Sequence, residues 1–245
     1  MDSKNNQTEK PFQFKQFTIH QEHCSMKVGT DGVLLGAWAG VEGAKKILDI
    51  GAGTGIIAIM AAQRAPDAIV DAVEIDKAAF NQGMENMAAS PWSNRLRVFH
   101  LPVKEYARSS TEKYDLILSN PPFFTGGTFS PEGGRNNVRH TVKLSHGDLL
   151  DSVRKLLAPQ GRLALILPYL EGLRFRELAA SYHFYCVRVT EVRSKADKPI
   201  ERLLMEFSPH IPAQMTQSEL IIQHEGNNNW TDAYIALTGD FYLYM

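Results

Sequence analysis

Residues Ile47 to Gly55, ILDIGAGTG, set a buried apolar run directly against three glycines at alternate positions. Glycine takes positive φ without penalty and carries no Cβ to hold off a neighbour. The run therefore predicts a tight turn from a strand into a helix, with the N–H groups of the helix start facing the crevice outside the strand end. Helically spaced IIAIMAAQRA follows at once, then strand-like AIVDAVEI, a helical stretch through Met87, short strands LRVFH and YDLILS, a helix from about His146 to Leu157, and a strand RLALILP. Apolar runs such as ILDI, LILS and LALIL, without strict alternation, suit strands covered on both faces. The fold class expected is α/β, a doubly wound, seven-stranded, mostly parallel sheet with an N-terminal extension. YCVRVTEV and ERLLMEF, around polar SKADKPI, predict an antiparallel hairpin closing one sheet edge. The expected organisation is a flexible N-terminus (1–10), a segment ahead of the sheet (11–44) and the α/β domain (45–245).

The chain has 245 residues, 44% hydrophobic and 22% charged, with a formal net charge of -1. That composition belongs to folded proteins. Apolar runs fall short of the roughly 18 residues of a membrane span, and the polar start MDSKNNQTEK lacks an apolar core, so a cytoplasmic protein is expected. The 2 cysteines, Cys24 and Cys186, show no metal-ligand spacing, and neither a disulfide framework nor a metal site is expected. A net charge near zero does not suit a chain that grips nucleic acid over its whole surface, so any such contact must be local. Residues 133 to 147, GGRNNVRHTVKLSHG, carry Arg135, Arg139, His140, Lys143 and His146 with no acidic residue. This window is either a local phosphate-binding loop or an ordinary solvated one.

Gly51, Gly53 and Gly55 make GxGxG, whereas a dinucleotide fingerprint needs a glycine where Ile56 stands, so pyrophosphate is disfavoured. Glu74, about twenty residues past the turn and just before Ile75, stands where a carboxylate can accept both hydroxyls of a ribose. Asp49 and Ala52 lie within reach of the same ligand. The structural alternative is a tight turn beside a solvated strand end. YDLILS runs straight into Asn120-Pro121-Pro122-Phe123, placing an amide at the end of a buried strand beside the glycine turn. Paired prolines donate no N–H, so the Pro121 carbonyl and the Asn120 side-chain oxygen can both accept from one NH2 group, while Phe123 offers a stacking face. That arrangement suits methylation of an amino nitrogen, although the same turn could simply end a strand.

Together, DIGAGTG, Glu74 and NPPF resemble the cofactor turn, ribose acid and acceptor motif of class I S-adenosylmethionine-dependent methyltransferases. FKQFTIHQEHCSMKVGTDGVLLGAW and YIALTGDFYLYM resemble the bacterial tRNA1(Val) (adenine(37)-N6)-methyltransferase family in particular. The resemblance implies a Rossmann-like methyltransferase domain that transfers a methyl group from S-adenosyl-L-methionine to N6 of an adenine in tRNA, adenosine 37 of the tRNA(Val) anticodon loop, without an obligate protein partner. It further implies that Lys27, Val28, Thr30 and Asp31 belong to an N-terminal segment closing over the cofactor. Arg139 and His140 would lie in the loop that meets RNA, with Arg135 and Lys143 beside them and Phe124 next to Phe123. Read on its own residues, KVGTDGVLLGAW is a helix packing Leu34, Leu35 and Trp38 on the core with Asp31 at its cap. One departure stands out: many relatives carry an acid after the third strand to hold the cofactor's adenine, and this chain has Leu101-Pro102 there. Backbone N–H groups near Leu101 and Val103, or Glu105, are the candidates to replace it. The acceptor motif alone leaves open protein glutamine-N5, rRNA guanine-N2 and DNA adenine-N6 methylation, and a non-catalytic cofactor- or RNA-binding protein would share the fold.

Overall fold

The structure, a computed structural model, describes residues 10–24, 26–122, 144–226 and 228–244. A small antiparallel pair, β1 (Phe12–Gln13) and β2 (Thr18–Ile19), and helix α1 (Thr30–Trp38) precede the sheet. There follow β3 (Lys46–Ile50), α2 (Ile56–Arg64), β4 (Ile69–Glu74), α3 (Lys77–Ala89), β5 (Leu96–His100), α4 (Val103–Ser109) and β6 (Tyr114–Ser119). The chain continues through α5 (His146–Leu156), β7 (Leu157–Pro168), α6 (Tyr169–Ser181), β8 (Tyr185–Lys195), β9 (Arg202–Ser208), β10 (Thr216–Gln223) and α7 (Asp232–Thr238).

The doubly wound α/β class is borne out, with the order β10-β8-β9-β7-β6-β3-β4-β5. Strand β9 runs against both its neighbours, and the other seven are parallel to one another. The sheet thus has 8 strands, one more than expected. The added strand is β10, whose first four residues are exposed, so it carries no apolar run by which to read it. It pairs with β8 and moves the β8–β9 hairpin from the edge, where it was expected, into the sheet. The hairpin's buried Leu203, Leu204 and Met205 fit that inner position.

Alternate residues of the central strands feed two cores. Ile47, Leu116, Leu118 and Ile166 pack on the side of α1 and α2, and Leu48, Ile117, Leu163 and Leu165 on the side of α5 and α6. Each such residue, fully buried, contributes about 1.5–3 kcal/mol. Covering on both faces is why these strands read as apolar runs.

From β3 the chain winds outward to β4 and β5, then returns to β6 on the other flank of β3. The winding reverses between β3 and β6, the switch point where sheets of this kind leave a crevice. Register places Ile50 beside both Val73 and Ser119, so Gly51, Glu74 and Asn120 leave the sheet at one edge. The Ser119 hydroxyl donates to the Ile50 carbonyl at 2.9 Å and fastens the two strand ends together.

Residues 10–24 are packed against the domain. Phe14 stacks on Phe17 at 4.6 Å and on Tyr242 at 5.9 Å. Buried Asn86 of α3 accepts from the His20 amide at 2.9 Å and donates to the His20 carbonyl at 2.8 Å. The same side chain donates to the Thr54 carbonyl at 2.9 Å, joining this segment to the glycine turn.

Candidate active site

Gly51, Gly53 and Gly55 all take positive φ, of 78°, 54° and 81°. A Cβ on Gly51 or Gly53 would meet nothing within 4 Å, so at those two positions bare backbone faces open space. The turn is held from behind. The amides of Gly51 and Ala52 donate to the Val73 carbonyl at 2.9 and 3.2 Å, and Gly83 of α3 comes so close that a Cβ there would stand 2.8 Å from the Gly53 carbonyl. Glu74, only 8% exposed, accepts from the Gly53 amide through Oε2 at 2.9 Å and from the Asp76 amide through Oε1 at 2.8 Å. It is therefore a built part of the turn and not a solvated strand end.

Asp49 is fully buried at the end of β3, and neither carboxylate oxygen has a hydrogen-bond partner among the described residues. Burial raises its carboxyl to about 7, and the charge of Glu74 adds to the effect. An unpartnered buried carboxylate is costly, and it favours a cation placed nearby.

One cleft of about 1540 Å³ brings together Gly51, Ala52, Gly53, Asn120, Pro121 and Pro122. Lys27, Val28, Thr30 and Asp31, from the segment ahead of the sheet, line it as well. Five of the expected site residues lie outside that lining. Gly55 packs against Met87, Asp49 and Glu74 sit behind the turn, and Leu101 packs into the second core beside α4. Ile75, just past Glu74, is 40% exposed and also stands away from the cleft. Phe123, Phe124, Arg135, Arg139, His140 and Lys143 lie outside the described residues.

Asp31 was expected to cap α1. The N-cap is Gly29, without a side-chain cap, and Asp31 instead accepts from Arg202 Nε at 2.9 Å, joining the first turn of α1 to β9. The Lys27 ammonium donates to the Gln21 carbonyl at 2.8 Å, and the Val28 amide to the Gln21 side chain at 2.8 Å. Sequence patterning overlooked Asn86, Arg202, Trp230 and Tyr242. Asn86, Arg202 and Tyr242 have partners far along the chain in His20, Asp31 and Phe14, whereas Trp230 packs on Tyr234 only four residues on; the local signals were polar residues within the helix NQGMENM and the spacing of Trp230 and Tyr234. Both cysteines are free thiols, and burial raises Cys24 to about 11. Among the described residues no group of three or more His, Cys, Asp or Glu is placed to hold a metal, and no helix is long and apolar enough to cross a membrane.

Residues 32–169 match the methyltransferase small domain family. The chain is 45% identical to the tRNA1(Val) (adenine(37)-N6)-methyltransferase of Parabacteroides distasonis, covering 96% of this chain and 98% of that one. It is 44% identical to the protein of the same name in Tolumonas auensis, covering 96% and 97%. Among solved structures it is similar in fold to a predicted O-methyltransferase of Agrobacterium tumefaciens, with a TM-score of 0.68 at 18% identity over 86% of this chain and 96% of that chain.

Proposed function

The chain belongs to the tRNA1(Val) (adenine(37)-N6)-methyltransferase family, and on that premise we propose that it moves the methyl group of S-adenosyl-L-methionine to N6 of adenosine 37 in the anticodon loop of tRNA(Val). The observation that carries the proposal is the meeting of the glycine turn with Asn120-Pro121-Pro122 in one cleft at the switch point of the sheet. Neither turn alone selects this chemistry.

The residues present fit the cofactor. Gly51 and Gly53 leave an open cradle, and behind it lies the buried Asp49 carboxyl, which a nearby cation would hold ionised, so the pair suits a ligand that carries a sulfonium and an ammonium. The bare backbone of the turn and the remaining lone pairs of Glu74 would hold the adenosyl group on the β4 side, with Lys27, Thr30 and Asp31 closing over it from the segment ahead of the sheet. When bound, the cofactor supplies a methyl group already activated for displacement.

The protein's part is alignment. Asn120 Oδ1 and the Pro121 carbonyl accept the two N6 protons, which turns the weak nitrogen lone pair toward the methyl carbon. The nitrogen held by Asn120 and Pro121 would take the methyl group of a bound cofactor, which leaves as the sulfide, and would lose one proton to water only afterwards, so no base has to act first. An anticodon-loop base is largely unpaired, so turning it outward costs little, and Phe123 is assigned to stack on it. Arg135, Arg139, His140 and Lys143 would meet the RNA backbone.

The test is methyl transfer from labelled S-adenosylmethionine to unmodified tRNA, rRNA and a glutamine-bearing release factor in parallel, followed by nucleoside and peptide analysis. N6-methyladenosine in tRNA is expected. Label in the protein or in guanine would overturn the acceptor while keeping the cofactor site.

A further inference from the structure

A cleft of about 1540 Å³ is larger than the roughly 300–1,000 Å³ of small-molecule sites. Its extra length does not run toward the adenosyl side at β4. It runs the opposite way, past Asn120 to the ends of β8 and β10, where Phe12, Trp230, Tyr242 and Tyr244 line it. Strands β8 and β10 point their C-terminal ends to the same edge as β3 and β6, which makes this extension continuous with the acceptor turn.

The rings there fall into two kinds. Tyr234 is 2% exposed, with Trp230 at 5.3 Å and Tyr242 at 6.5 Å, while Phe12 lies 6.2 Å from Tyr242; these build a fixed wall. Tyr244 is 91% exposed and does no packing work for the fold. An aromatic face beside a packed aromatic wall, with Lys10 and Lys27 on the same cleft, has the make-up of a stacking site for a single-stranded base.

We infer that this end of the cleft is a second base subsite, in which Trp230 and Tyr244 stack a nucleobase flanking the adenine presented to Asn120. The inference rests on the RNA acceptor proposed above. Both faces being aromatic, the subsite grips a neighbouring base without reading its identity, and it adds to RNA affinity rather than to the chemical step.

The probe is an unmodified anticodon stem-loop RNA of tRNA(Val), intact or with an abasic residue on either side of the target adenine. With intact RNA, Tyr244→Ala is expected to raise KM about tenfold while kcat and cofactor Kd stay within about twofold; Tyr244→Phe restores KM. With one of the two abasic RNAs the wild type loses the same factor and Tyr244→Ala loses nothing more, because the two changes remove one contact. RNA is also expected to quench tryptophan fluorescence in the wild type and not in Trp230→Phe. An unchanged KM in Tyr244→Ala, or losses that simply add, overturns the subsite alone. Failure of the wild type to methylate any RNA overturns the acceptor and the subsite together.

Discussion

Glu74 Oε2 accepts the Gly53 amide at 2.9 Å, so the acid at the end of β4 and the middle of the glycine turn form one unit. The side chain proposed to hold the ribose also fixes the backbone that cradles the rest of the ligand. Glu74→Ala therefore leaves the amides of Gly53 and Asp76 without their acceptor and is expected to destabilise the protein by about 1–3 kcal/mol. It should also weaken cofactor binding at least tenfold. Glu74→Gln keeps one acceptor oxygen and should recover most of the stability but little of the affinity. Thermal unfolding and calorimetric titration with S-adenosylmethionine check the two effects separately, and an Ala variant with wild-type affinity would remove Glu74 from the site.

Asn120 lines the same cleft as Gly53 and is proposed to act only on the acceptor nitrogen. Asn120→Ala should cost roughly 100-fold or more in kcat, with cofactor Kd within about twofold. Single-turnover methylation and calorimetry on the same preparation test this, and near-normal turnover would contradict the role.

At Gly53 the φ of 54° and the empty space in front of the Cα act together. Gly53→Val forces a β-branched residue into the left-handed region, at a cost of roughly 1–3 kcal/mol, and fills the cradle. The expected result is a folded, less stable protein whose cofactor binding falls below detection. Undiminished binding would show that the ligand does not use this face of the turn.

Asp49 makes stability depend on pH in a definite direction. Its carboxyl is raised from the ordinary 3.8 to about 7 by burial, so between those values the native state keeps a proton that the unfolded chain has lost. Stability therefore falls as pH rises through that window and levels off above it. Asp49→Asn removes the effect. The variant is expected to melt higher than the wild type at pH 8, by an amount on the order of a few kcal/mol in stability, with the gap closing toward pH 4, and to bind the cofactor more weakly. A gap that widens at low pH would contradict the assignment.

How far the sequence could be read depended on how local each rule was. The glycine turn and the Asn-Pro-Pro turn are set by φ restrictions and missing donors within a few residues, so both could be placed on their strands in advance. The covered strands were legible because burial on both faces leaves an apolar run. Strand β10 was not, since its exposed Thr216 to Glu219 carry no such run and its place comes from pairing with β8. Asp31 misled for a related reason: a carboxylate in the first turn of a helix ordinarily suggests a cap, and here Arg202, 171 residues away, takes it. The tie of Asn86 to His20 spans 66 residues and is invisible to any local pattern.

The most direct test of the central claim is methylation of an unmodified tRNA(Val) transcript, with label counted and the position mapped. One methyl group per transcript, found as N6-methyladenosine at position 37 and abolished when that adenosine is replaced by guanosine, is the predicted result. Equal labelling of the replaced transcript, or label on any other atom, would contradict it.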